Sequence, residues 1–201
     1  MSINLQELRG YSVRPDLHAL AESVRPAAQG DAAAQAAVCG AMLWASFAAP
    51  GAIPQVFDLI SRSQLGLHLN PAAILADSAP LAEEFWQQFE ETLIGPEEGY
   101  DATSITVAVA SLGAVLHEGY AALSESAALA HPGADDAVDK SVPPMISLAA
   151  LADFPDGSLA RQLLSMWVDN GFDPEVLDRD AIGLAGLSPA LRYLNTRILQ
   201  M

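Results

Sequence analysis

Basic residues are scarce in this chain. Nine Lys and Arg stand against 25 Asp and Glu, giving a formal net charge of −16. That balance excludes a nucleic-acid binder that works by phosphate neutralisation, and electrostatic attachment to anionic lipid. Between Arg62 and Lys140 there is no Lys or Arg, while acids run from Asp77 through Glu83, Glu84, Glu90, Glu91, Glu97, Glu98, Asp101, Glu118 and Glu125 to Asp135, Asp136 and Asp139. A solvated acidic face that keeps an Ala-rich protein soluble is expected; the sharper alternative is a docking surface for a basic partner. Cysteine is limited to Cys39, which excludes an internal disulfide framework and fits a reducing compartment. Its expected place is as a small buried apolar residue in an Ala-rich helix.

Long hydrophobic runs are also missing. Half the residues are apolar, yet no segment reaches the ~20 uninterrupted apolar residues of a membrane span. Val, Ile and Thr are sparse beside Ala and Leu, which favours helices over sheet. The opening Met1-Ser2-Ile3-Asn4 has neither the basic region and apolar core of a secretory signal nor the Arg/Ser-rich pattern of a mitochondrial presequence, so neither is expected. No internal repeat of ~20–50 residues is visible.

Catalytic patterns are absent in the same way. His18, His68, His117 and His131 form no i, i+4 pair, and no cysteine lies near one in sequence. His117 and Glu118 are adjacent, so on a helix they point to different sides and cannot share a zinc ion. Structural or surface roles are expected for all four histidines. Asp135-Asp136 with Asp139 has the charge for a hard cation but lacks the Gly-based spacing of a calcium loop. There is no Gly-x-Ser-x-Gly elbow, phosphate-cradling loop or dinucleotide fingerprint. Gly157-Ser158-Leu159 reads as a helix cap rather than a nucleophile turn. The expectation is therefore no catalytic residue and no metal ligand in this chain, with any cofactor-binding residue unassigned.

What is present is a succession of helical patterns. Arg14-Pro15-Asp16 opens a helix expected to reach about Val24 and end near Pro26. Asp31 caps the next, to about Phe47, with Val38, Met42 and Ala45 on one face and Ala34, Gly40 and Ala41 permitting close approach. Ala49-Pro50-Gly51 breaks it, Gln55 to Ser63 is a short helix, and Gly66 to Pro71 a loop. From Pro80 to about Ile94, Leu81, Phe85, Phe89 and Leu93 recur every four residues opposite the glutamates, and Gly95-Pro96 ends the pattern. Tyr100 to Ser104 leads into the most apolar stretch, about Ile105 to Ala130, expected as one central buried helix with Gly113 and Gly119 for close packing. Residues 131–144 read as a Pro/Gly/Asp-rich linker between an N-terminal helical region, 1–130, and a helical segment, 145–201.

The last segment has the clearest grammar. Phe154-Pro155-Asp156-Gly157-Ser158 turns into a helix capped by Asp156 or Ser158, with Leu159, Leu163, Met166 and Trp167 on one face and Asn170-Gly171 as its stop. Asp173-Pro174-Glu175 starts a second element and Ser188-Pro189 a third, with Leu191, Leu194 and Ile198 sharing a face. The fold expected from all this is all-α: a compact bundle-like array of about eight helices with short Pro/Gly connections.

At residues 145–200 the chain resembles the coenzyme Q (ubiquinone) biosynthesis protein 4 family. The resemblance lies in Leu148 and Leu151, Pro155-Asp156-Gly157-Ser158-Leu159, Asn170 to Glu175, and Tyr193-Leu194-Asn195-Thr196-Arg197-Ile198-Leu199-Gln200. A weaker likeness covers 49–62, with Ala49-Pro50 and Val56-Phe57-Asp58-Leu59-Ile60-Ser61-Arg62. Ala160 stands where the family has Gly, and Glu97 to Ser141 looks inserted. Such proteins follow the Tyr-Leu-x-x-Arg-x-x-Gln helix with a His-Asp-x-x-His zinc motif, and Met201 falls where that motif is expected to begin.

The resemblance implies a ubiquinone-biosynthesis-like protein, expected to be non-catalytic as the chain stands. It would bind a prenylated lipid or quinone, or scaffold biosynthetic enzymes, with Ile105–Leu116 and Leu159–Trp167 forming a groove for the prenyl tail. The alternatives are a helical protein–protein interaction module, or the front half of a zinc-dependent quinone-ring-modifying enzyme. Zinc is expected only if the missing motif exists. The implied location is cytoplasmic, peripheral to the inner membrane, with homo-oligomerisation open.

Overall fold

The computed structural model describes residues 4–67, 71–95, 97–130, 147–171 and 188. Among them are nine α-helices and no strand, so the fold is all-α. No single helix among these residues is long and apolar enough to cross a membrane. The chain divides into two compact units, one within Met1–Glu83 and Leu116–Ala127, the other within Glu84–Val115 and Ala128–Met201.

In the first unit the first three helices each start on a side-chain cap. Asn4 accepts the N–H groups of Gln6 and Glu7 to open α1, Leu5–Tyr11. Asp16 accepts those of His18 and Ala19, both at 2.9 Å, to open α2, Leu17–Ala28. Asp31 accepts that of Ala34 at 2.8 Å to open α3, Ala32–Phe47. These oxygens satisfy amides that have no partner inside the helix. A 3₁₀ turn at Pro50–Ala52 leads into α4, Ile53–Leu65, which ends where Gly66 takes φ +70°. That conformation is open to glycine without a Cβ penalty.

α3 is the hub, packing against α1, α2 and α4. Its buried face is Ala36, Gly40, Ala41, Trp44 and Ala45, so mostly small residues allow the neighbours close. Val38 is only partly buried against this core, and Met42 is half-exposed. Leu17 and Leu20 of α2, Val56 and Leu59 of α4, and Ile74 complete the cluster around Trp44. The extended segment 71–82 is held onto it from three points. Arg14 donates to the carbonyls of Ile74 at 3.1 Å and Ala76 at 2.7 Å, and the Ala79 N–H donates to Ala48. The Arg14 guanidinium also lies 6.0 Å from the Trp44 ring centroid.

In the second unit, α5 spans Glu83–Ile94, with Glu83 itself assigned to the first unit. Phe85, Trp86 and Phe89 form an aromatic group with centroids 5.3–6.0 Å apart. Asp101 caps α6, Ala102–Ser111, which tightens into a 3₁₀ turn at Leu112–Val115. Ser147 caps α8, Leu148–Ala152, and Ser158 caps α9, Leu159–Asn170, which stops at Gly171 with φ +65°. Arg161 ties α9 to α8 by donating to the Ala152 carbonyl at 3.1 Å, and it pairs with Asp156 at 3.3 Å. Of the two caps expected for α9, Ser158 therefore caps it and Asp156 forms the ion pair.

Several expectations are corrected. The helix opened by Asp16 does not end near Val24 but runs through Pro26 to Ala28. Proline lacks the N–H, but the Gln29 N–H closes the last turn onto Arg25 and Pro26. The stretch 105–130 is not one buried helix. It breaks after Val115 and resumes as α7, Tyr120–Ala130. The His117 ring accepts the Gly119 N–H at 3.0 Å and its carbonyl accepts the Tyr120 N–H, so this histidine builds the break. Neither α6 nor α7 contains a fully buried described side chain.

Cys39 is exposed rather than buried, because it sits one residue, ~100° of helix, before Gly40 on the buried face. In α5 the buried pair is Phe85 and Trp86, whereas Leu81 precedes the helix and Leu93 is exposed. On α9 only Trp167 of the expected stripe is buried; Leu163 is half-buried, and Leu159 and Met166 face solvent. The linker 131–144 and the elements expected from Asp173 to Gln200 lie outside the described residues.

Candidate functional site

A groove of about 570 Å³ lies in the first unit, along one side of α2. Its floor is the stripe Ala19, Ser23 and Pro26 of α2 with Ala33, Ala34 and Ala37 of α3. These side chains are too small to fill the space between two helices, which is why it stays open. Tyr11 at the end of α1 and Val13, Arg14 and Pro15 beyond it also line the groove, and Val13 is 56% exposed.

The groove carries three carboxylates, Asp16, Glu22 and Asp31. Asp16 is held below the usual carboxylate range chiefly by the Ala19 N–H it accepts; desolvation opposes this, and the His18 N–H adds to the lowering. Among the described residues the groove's one lining cation is Arg14, which is engaged by the Ile74 and Ala76 carbonyls. A smaller cleft of about 150 Å³ lies between Leu17 of α2 and Gln55, Leu59 and Arg62 of α4, where Arg62 pairs with Asp58 at 3.1 Å.

The residues with chemistry expected of them are scattered. His18 is exposed on α2, His117 closes the turn that precedes α7, and His68 and His131 lie outside the described residues. Among the described residues no three His, Cys, Asp or Glu side chains gather to hold a metal ion. Although Cys39 is exposed by area, desolvation by its neighbours pushes the thiol upward, away from reactivity. Ser158 spends its oxygen on the Arg161 N–H. The acidic interval behaves mostly as a solvated surface: Glu84, Glu90, Glu91, Glu97 and Glu98 are exposed. Glu83 differs, receiving two bonds from Arg9 at 2.9 and 3.0 Å.

The two helices expected to enclose a prenyl tail, α6 and α9, are not one of the closely packed pairs; α9 packs on α8. What they offer instead is surface. Val107 and Val109 of α6, and Leu159, Met166 and Val168 of α9, are all exposed. The groove along α2 was invisible in sequence, since Tyr11, Val13 and Glu22 carry no motif. Only the run of alanines at Ala32–Ala34 and Ala36–Ala37 hinted at a helix surface with room beside it.

Comparisons with family models, with curated proteins and with solved structures find no match for this chain.

Proposed function

We propose that this protein is a helical binding protein of the quinone-pathway type, which presents apolar helix surface to a prenylated quinone or to a biosynthetic enzyme that handles one. The observation that carries the reading is α9. Leu159 and Val168 are 75% and 60% exposed there, on the helix opened by the Pro155-Asp156-Gly157-Ser158-Leu159 turn on which the family resemblance rests. Exposed aliphatic side chains of this size gain about 1.5–3 kcal/mol each on full burial, which favours an apolar partner over water. The reading implies a cytoplasmic protein working at the face of the inner membrane, where prenyl quinones partition. Zinc enters it only with a His-Asp-x-x-His motif beyond Gln200.

Equilibrium dialysis against a diprenyl benzoquinone tests the lipid half. Saturable binding is expected, weakened by roughly tenfold when Leu159→Asp and Val168→Asp are combined, about 1.4 kcal/mol. Absence of saturable binding removes the quinone as ligand and leaves the scaffold half. Titration with purified quinone-pathway enzymes then decides that half: if none forms a stoichiometric complex, the whole reading fails.

A further inference from the structure

We propose that the groove along α2 docks a basic segment of a partner protein, one carrying Arg or Lys at short intervals between small apolar residues. The proposal is independent of the apolar surface of α9, since the groove lies wholly in the first unit. Its shape comes first. α2 is twelve residues long, so the groove runs ~18 Å, a length that suits an extended peptide rather than a compact metabolite. Its alanine floor offers apolar contact without obstruction, and exposed Val13 and Tyr11 give the upper wall side chains to close over a ligand.

The charge is arranged along that length. Asp16 stands at the start of α2, Glu22 about two turns on, ~9 Å further along the axis, and Asp31 past its end. Cationic side chains two or three residues apart on an extended chain, which advances ~3.3 Å per residue, reach successive carboxylates. Arg14, the one cation lining the groove among the described residues, is already engaged by two carbonyls, so it offers an incoming acid little. A second copy of this chain is a poor occupant, because two molecules of charge −16 repel.

The test uses the full chain and a fluorescein-labelled peptide repeating Arg-Leu-Ala, followed by anisotropy at physiological salt. Saturable binding is expected, with none for the same peptide carrying Glu in place of Arg. Glu22→Arg should weaken it by ~tenfold or more, and the near-isosteric Glu22→Gln by a smaller factor. Glu90→Arg, an equal change in net charge on exposed α5, should change it by less than about twofold if contact rather than bulk charge decides. Circular dichroism confirms that each variant folds. Equal losses from Glu22→Arg and Glu90→Arg would mean bulk attraction and overturn the proposal. Absence of saturable binding overturns it too, as does competition by free arginine amide at the peptide's own potency, which would make this a small-cation site.

Discussion

Gly40 of α3 and Tyr11 of α1 meet backbone to backbone. A Cβ on Gly40 would lie 2.6 Å from the Tyr11 Cβ and 2.7 Å from its carbonyl carbon, distances that side-chain rotation cannot relieve. This contact sets how closely α1 approaches the hub helix. Gly40→Ala is therefore expected to destabilise the protein by ~1–3 kcal/mol through overpacking. Gly10→Ala, also helical but with nothing within 4 Å of the new methyl, should stabilise by about 0.5–1 kcal/mol through helix propensity. Urea denaturation of the two variants checks the pair; equal effects would mean that the close approach does not exist.

Arg14 holds the segment 71–79 against the core by two carbonyl bonds and lies beside Trp44. Arg14→Ala should cost about 1.5–3 kcal/mol, the range for hydrogen bonds to a charged group. The loss should be local first: amide exchange should accelerate within 71–79 before it does in α3. Uniform acceleration across both would contradict a clamp.

The Ser63 hydroxyl is buried in α4 with no hydrogen-bond partner among the described residues. Burying an unpaired hydroxyl is unfavourable, and Ala is the better helix former. Ser63→Ala is expected to raise stability by ~0.5–1 kcal/mol. A loss on thermal or urea unfolding would show that the hydroxyl has a partner, such as water.

Three exposed carboxylates give stability a definite pH dependence. The Glu83 carboxyl is held below its ordinary range mainly by the Arg9 hydrogen bonds, and Asp101 by the Ser104 N–H it accepts; Asp16 behaves likewise. A lowered folded pKa means that the stabilisation is complete above the unfolded carboxylate pKa and disappears as pH falls through the folded one. The wild type should thus lose its advantage over Glu83→Gln on acidification through and below the ordinary glutamate range, with little change between neutral and mildly alkaline pH. Urea midpoints of the two proteins across that window check this. A gap that widens at low pH would contradict the sign.

Ser158 begins α9 by accepting the Arg161 N–H at 3.3 Å. Ser158→Ala should cost about 1 kcal/mol, whereas Ser158→Asp, an equally good cap, should restore most of it. Rescue by Asp on denaturation separates a capping oxygen from a nucleophile, which a carboxylate would not replace.

Helix identity was legible because its causes are local. Asp31 and Ser158 cap the helices they precede, Gly171 stops α9, and Ala49-Pro50-Gly51 breaks the chain, each through a side chain or backbone freedom acting within a few residues. The site was far less legible. The α2 groove depends on which alanines two separate helices leave facing each other, and no local motif marks that.

Propensity, capping and charge, which act locally, thus account for the all-α class, for several helix starts and stops such as Asp31, Ser158 and Gly171, and for the acidic surface. Tertiary structure decided the rest. It put Cys39 outside and Gly40 inside, spent Arg14 on carbonyls some 60 residues away, and set His117 in the turn that breaks an apolar stretch in two. It also left Leu159 and Val168 uncovered by any described residue and a trough of alanines open beside α2. The physical reason is that burial is a property of pairs of surfaces. An apolar stripe specifies that a helix can be covered, but only the packing of its neighbours specifies which part of the stripe is.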